Sequence, residues 1–234
     1  MANYIVLYCL SSGYGALITR RRSIVVPYDH AMGTGQSYEY GITWTGSNLI
    51  MSTCTIDGTI LRMNGYSSTL YDSIYCSTGS RCVTWDGSKL IHSNSTIRIC
   101  RHAGFTSTCD ALLQFSGTKW YYGVTWAGGN LIAAENYYCE VHKFSGFSTT
   151  MTAYISVSNY PIDITWAGSN LVVSLCRSDN TAFYLIKYSG FSSTILESAT
   201  ISGSYAGLGI EWDNHVGQAS IPPGWAGTWG PVSL

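Results

Sequence analysis

The chain has 234 residues, 46% of them hydrophobic and 11% charged, with a formal net charge of −1. This supplies ample apolar material for a core, and it excludes nucleic acid as a partner, because phosphate binding needs a basic stripe and Arg20-Arg21-Arg22 is too short to be one. No apolar run reaches the length of about 18 residues that a membrane-spanning helix requires, and the exterior is expected to consist of Ser, Thr, Gly, Asn and Tyr in place of the usual quarter of charged residues.

The N-terminal run Met1 to Leu10 is apolar but lacks the basic start of a signal peptide, so synthesis without a cleaved signal is expected. Within it Tyr4 to Tyr8 reads as a strand, followed by the Gly-aromatic pair Gly13-Tyr14. The first copy of a repeated motif then appears, Gly41-Ile42-Thr43-Trp44-Thr45-Gly46-Ser47-Asn48-Leu49-Ile50. It recurs from Cys82 to Ile91, from Gly123 to Ile132 and from Asp163 to Val172, with a worn copy from Gly209 to Val216. Its tryptophans stand at 44, 85, 126, 166 and 212, a step of about 40 residues that belongs to stacked supersecondary units.

Each copy starts with a β-branched run, passes a Gly/Ser/Asn turn and continues into an apolar run, the pattern of a tight hairpin. About 20 residues after each of the first four tryptophans a second marker follows, Asn64-Gly65-Tyr66, Ala103-Gly104-Phe105, Ser145-Gly146-Phe147 and Ser189-Gly190-Phe191, flanked by extended segments. No segment has the length and 3.6-residue period of a helix. Four short antiparallel strands per unit of this length predict β-propeller blades.

The ends look complementary. The worn motif at Gly209 to Trp212 and the segment Val216 to Ile221 read as strands one and two, and the N-terminal segments as strands three and four. The expectation is an all-β, five-bladed β-propeller closed by pairing those N-terminal strands with the C-terminal ones. It forms one domain over 1–221, with blades at about 1–35 plus 208–221, 36–80, 81–121, 122–161 and 162–207. Residues 222–234 form an uncharged tail carrying Trp225 and Trp229.

The Gly-Ile-Thr-Trp-x-Gly-Ser-Asn-Leu-Ile repeat with its later Gly-Phe-Ser-Ser-Thr element resembles the short propeller repeats, related to NHL and YncE-like propellers, of bacterial surface proteins and bacteriophage structural proteins. The resemblance implies a fold and leaves function open, since propellers host lectins, lyases, cyclases and scaffolds.

Function is therefore sought where the chain does not repeat, in the loops between strands four and one and between strands two and three. These share one face and carry many aromatics, which serve both protein interfaces and sugar stacking. The candidate binding residues are Tyr38, Trp120, Tyr121, Tyr160 and Tyr205, with Trp225 and Trp229 of the tail. The motif tryptophans, Tyr40 and Tyr122 are expected to pack within or between blades.

No catalytic residue is assigned. The five histidines share no repeat position, and carboxylates such as Glu135 and Asp179, in loops of adjacent blades, are candidates to converge on the channel mouth. No CxxC or zinc-type spacing occurs, so neither metal nor cofactor is expected. The eight cysteines read mainly as buried thiols, with Cys76–Cys82 and Cys100–Cys109 as alternative local disulfides.

The functional expectation is a non-enzymatic structural and binding module, a virion or tail-associated protein of a phage-like particle, working in a virion or extracellular assembly beside other assembly proteins or surface glycans. A lectin with sites in the blade-connecting loops is the first alternative and a propeller-type lyase or cyclase the second.

Overall fold

The computed structural model describes residues 3–10, 16–21, 30–33, 39–53, 58–65, 69–76, 80–94, 97–179, 182–202 and 205–213. Every regular element among them is a β-strand. The N-terminal strands are β1 (Asn3–Leu10), β2 (Ala16–Arg21) and β3 (His30–Gly33). Four blades of four antiparallel strands follow, each from consecutive chain. The first is β4 (Glu39–Trp44), β5 (Leu49–Thr53), β6 (Thr59–Met63) and β7 (Leu70–Tyr75). The second is β8 (Cys82–Trp85), β9 (Leu90–Ser93), β10 (Arg98–His102) and β11 (Cys109–Gln114). The third is β12 (Tyr121–Ala127), β13 (Asn130–Glu135), β14 (Glu140–Phe144) and β15 (Met151–Ser156). The fourth is β16 (Tyr160–Ala167), β17 (Asn170–Cys176), β18 (Ala182–Tyr188) and β19 (Ile195–Ser202). The last strand is β20 (Tyr205–Asp213).

The expected five-bladed ring, closed by two strands from each end, is corrected. Four blades are self-contained, and the sheet that joins the termini has the order β20-β1-β2-β3, one strand from the C-terminal side and three from the N-terminal side. The segment Tyr4 to Tyr8, expected as a third strand, pairs with β20 along its length, from Asn3 opposite Asp213 to Cys9 opposite Gly207, and so takes the second place. β1 thus satisfies an edge of β20 that would otherwise be open to pairing with other extended chain. The segment Val216 to Ile221 and the tail lie outside the described residues.

The repeated residues are explained by contacts between neighbours. Leu49, Ile50, Leu90, Leu131 and Leu171 are fully buried, while Trp85, Trp126 and Trp166 are half-buried against the apolar clusters that join adjacent blades. A register shift interrupts the first strand of three blades, between Glu39 and Gly41, Tyr121 and Gly123, and Pro161 and Asp163. The serine facing this region then reaches the next blade. Ser52 Oγ accepts from Gly41 N at 3.0 Å and donates to Arg81 O at 2.9 Å, and Ser93 Oγ donates to Tyr122 O at 2.9 Å. In the third blade the corresponding position is Ala134, and Asn136 Nδ2 makes the crossing instead, donating to Pro161 O at 3.1 Å.

The Gly-aromatic marker turns strand three into strand four. Asn64, Ala103, Ser145 and Ser189 each donate a backbone N–H to the carbonyl of Thr69, Thr108, Thr150 and Thr194, and Gly65, Gly104, Gly146 and Gly190 hold φ between 59° and 76°, a region that disfavours any side chain. The following aromatic packs backward under a cation of the preceding blade: Arg62 over Phe105 at 4.5 Å, Arg101 over Phe147 at 4.8 Å and Lys143 over Phe191 at 5.9 Å. The few charges thus serve blade-to-blade contact as well as solubility.

The six described cysteines, Cys76, Cys82, Cys100, Cys109, Cys139 and Cys176, are free, so neither expected disulfide forms. Cys82 points away from Cys76, into the centre of the ring, where its Sγ lies 2.7 Å from Asp163 Oδ1.

Candidate functional site

The first strands β4, β8, β12 and β16 stand in sequence around the centre, and β20 lies between β16 and β4. At their closest approach the motif begins with Gly41, Cys82, Gly123 and Asp163. A Cβ on Gly41 would lie 2.4 Å from Cys82 Cα, and one on Gly123 would lie 2.7 Å from Asp163 Cα, so glycine there is a requirement of backbone proximity. Where side chains are present they fill the middle. Asp163 Oδ1 accepts from Cys82 Sγ and from Ile164 N at 2.9 Å, and Oδ2 accepts from Ile210 N at 2.8 Å. Burial raises its carboxyl to about 8, against the opposing pull of the thiol and the two amides. With both residues buried, this pair ties three first strands together and offers no surface to a substrate.

The exposed chemistry lies in the loops. Glu135 ends β13 with its carboxylate fully buried and binds two separate loops through backbone amides. Its Oε1 accepts from Trp120 N at 2.9 Å and Tyr137 N at 3.2 Å, and its Oε2 accepts from Tyr138 N at 2.6 Å. Asn136 N donates to Trp120 O at 2.8 Å, and Cys139, at φ 56°, turns the chain back into β14. Charge-assisted bonds of this kind are the strong ones, and they hold the loop backbones whatever the rings above them do.

Those rings are exposed: Trp120 by 43%, Tyr137 by 56% and Tyr138 by 55%. Trp120 and Tyr137 stand edge to face at 6.3 Å, as do Tyr137 and Tyr138 at 4.9 Å. Thr118 Oγ1 lies 3.5 Å from Tyr138 Oη. Tyr160, also exposed, opens β16, the strand to which Asn136 is bonded through Pro161.

Of the expected binding residues, then, Trp120 and Tyr160 are exposed on neighbouring blades. Tyr121 is corrected: it is fully buried against Phe115 and Phe144, with its hydroxyl 2.9 Å from His142 Nδ1, and burial pushes its phenol well above the ordinary value. The cause is alternation, since consecutive residues entering β12 point to opposite sides. Tyr205 lies in β20 opposite Leu10. Tyr38, Trp225 and Trp229 lie outside the described residues. Tyr137 and Tyr138 were not selected as sites from sequence; their signal was two adjacent tyrosines in a loop between strands two and three, at a place where no repeat demands them. Tyr122 packs as expected, under Arg81 at 4.4 Å.

The carboxylate pair expected at the channel mouth does not form. Both oxygens of Glu135 accept from backbone, and Asp179 pairs with Arg177 at 3.2 Å. His102 and His142 are buried.

No protein-family model matches the chain, and no curated protein does. Solved structures do. A glutaminyl cyclase of Myxococcus xanthus aligns with a TM-score of 0.57 at 11% identity, over 74% of this chain and 70% of that one. The Cps50 (Swd1) β-propeller domain of Myceliophteria thermophila aligns at 0.52 with 6% identity, over 82% and 70%.

The chain has the β-propeller fold. A Kuenenia stuttgartiensis hydrazine synthase aligns with this propeller at 0.51 and 14% identity, over 70% of this chain and 49% of that one. Such distant likeness shows architecture alone, and the bearers of the fold include enzymes and non-enzymes. The NHL and YncE-like character of the repeats is not part of what these alignments show.

Proposed function

We propose that this propeller is a non-enzymatic binding module that docks a protein partner on the Trp120, Tyr137 and Tyr138 platform. The carrying observation is the combination of three exposed rings with a fully buried carboxylate that fixes their backbone. A pre-ordered aromatic cluster loses little conformational entropy on binding, and Trp and Tyr dominate interface hot spots.

Protein is favoured over glycan because the rings stand at 65° and 86° to one another, presenting edges and a notch in place of one open face. The carboxylate that a sugar hydroxyl would seek is occupied by amides. An enzymatic reading finds no support in the centre, where Asp163 and Cys82 are sealed. The setting we propose is a virion-type or other extracellular assembly. What supports it is an exterior with few charges, which suits a surface covered by neighbours better than one free in dense cytosol.

The test is site-specific photo-crosslinking in the source cells or particles, with Tyr138→p-benzoylphenylalanine on the platform and Tyr71→p-benzoylphenylalanine, exposed on β7, as the control. A discrete protein adduct from position 138 and none from 71 is expected. Equal adducts from both positions, or glycan binding on an array with no protein adduct, would contradict the reading.

A further inference from the structure

Away from the loop face, the interface between the first and second blades buries a set of donors that the binding platform does not use. Cys76, immediately after β7, His92 on β9 and His102 on β10 place their ligand atoms within 4.8 Å of one another. The strand register explains how the second blade contributes. His92 is directly opposite Cys100, and His102 lies two residues beyond Cys100 on the same strand, so all three side chains project from one face. Val83, opposite His92, joins Cys76 in the apolar cluster shared by the two blades, which identifies the face as the one turned toward the first blade.

The two imidazoles meet nitrogen to nitrogen, His92 Nδ1 to His102 Nε2 at 2.8 Å. His92 is 1% exposed and His102 2%. Buried structural histidines ordinarily satisfy both ring nitrogens, because an unmet buried polar atom costs about 1–3 kcal/mol. Here His92 Nε2 has no hydrogen-bond partner among the described residues, although the backbone of Thr106 and Thr108 lies against His102. The two nitrogens that face each other, His92 Nδ1 and His102 Nε2, with the Cys76 sulfur beside them, are the beginning of a coordination sphere.

We propose that Cys76, His92 and His102 bind a zinc-class divalent cation between the first two blades. Borderline-soft N₂S donors suit Zn²⁺, which takes His nitrogen at about 2.0–2.1 Å and Cys sulfur at about 2.3 Å in tetrahedral geometry. Two nitrogens 2.8 Å apart need to separate by about half an ångström for that arrangement, a change within side-chain adjustment. Cys100, buried opposite His92 and interacting with Cys76, is of suitable type to complete four-coordination, and Cys109, opposite His102, stands next to it. On binding, the Cys76 thiol releases its proton to solvent as the sulfur–metal bond forms. Burial holds that thiol at about 11 without a cation, and a coordinated thiol is deprotonated outright. The ion would join strand ends from two blades, so its role is to lock their interface, with no open position required for catalysis.

The test uses the full chain, stripped of metal under reducing conditions and titrated with Co²⁺ as the spectroscopic stand-in, then with Zn²⁺ in competition. One equivalent of Co²⁺ with intense tetrahedral d–d bands and a sulfur-to-cobalt charge-transfer band is expected, and Zn²⁺ should displace it and raise the unfolding temperature. Cys76→Ser should weaken the charge-transfer band and Cys76→Ser/Cys100→Ser abolish it, and His102→Gln should weaken affinity beyond the 10–100-fold loss expected of an outer-shell partner. Each variant is checked for native circular dichroism, and should one not fold, His92→Gln replaces it. A folded wild-type chain that takes up no Co²⁺, unchanged spectra in Cys76→Ser, or a Cys76–Cys100 disulfide found by mass in place of metal would each overturn the proposal.

Discussion

At the residue scale, two buried carboxylates carry opposite duties. Glu135 is ringed by three backbone donors and fixes the platform loops. Asp163 has donors as well, but complete burial outweighs them and moves its pKa from the ordinary 3.8 to about 8. The native state therefore holds a proton that the unfolded chain would release between those values. Linkage then requires this contribution to be fully favourable below about 4 and to be lost progressively as pH rises to about 8. Asp163→Asn removes the titration and keeps an acceptor for Ile164 or Ile210. In urea unfolding, the stability of Asp163→Asn relative to wild type should rise by a few kcal/mol from pH 4 to pH 8; a difference independent of pH would show that Asp163 is ionised in the folded protein.

At the element scale, the blade is a unit that cannot bury its faces alone, and each repeated residue marks a contact with a neighbour. Gly123 is one such case, since its added Cβ would meet Asp163 Cα at 2.7 Å and Ile164 N at 2.9 Å, both backbone atoms that cannot swing aside. Gly123→Ala should lower stability by about 2 kcal/mol or more in denaturant unfolding, in the range of core overpacking; a loss below about 0.5 kcal/mol would mean that the inner strands can spread. The strand pattern of the four blades was legible because Trp44, Trp85, Trp126 and Trp166 recur with their Gly/Ser/Asn turns. The closure was not, because a Gly-aromatic pair such as Gly13-Tyr14 shows that a hairpin turns without showing which hairpin it is. The edge of β20 decided that question through long-range pairing with β1, and local sequence does not encode such pairing. Site residues divided in the same way. Trp120 stood out as a non-repeating aromatic, but which of the consecutive aromatics Trp120 and Tyr121 turns inward depends on where β12 enters its pairing with β13, which local sequence does not fix. The meeting of His92 with His102, ten positions apart in sequence, rested on register too, and no spacing rule for metal sites covers ligands from two strands and the end of a third.

At the scale of the whole molecule, the ring is the scaffold and the proposed docking platform lies on its rim. First strands pass hydrogen bonds from blade to blade through Ser52, Ser93 and Asn136, Asp163 holds the centre, and the outer strands leave Tyr71, Met151, Tyr154, Ile195 and Leu196 exposed. Single exposed hydrophobics on outer strands are ordinary; a fixed cluster of three rings on a loop face is a different matter, because ordering it before binding serves recognition. The proposed docking role thus requires that the platform be separable from the fold. Replacing Trp120 and Tyr137 together with serine removes two exposed rings while leaving the Glu135 bonds, which go to backbone, in place. The decisive measurement is the yield of the adduct formed from position 138 by the Trp120→Ser/Tyr137→Ser protein, taken alongside its thermal unfolding. An unchanged unfolding temperature with adduct yield reduced at least tenfold, as loss of hot-spot residues predicts, would support docking on the platform; undiminished adduct with the fold intact would contradict it.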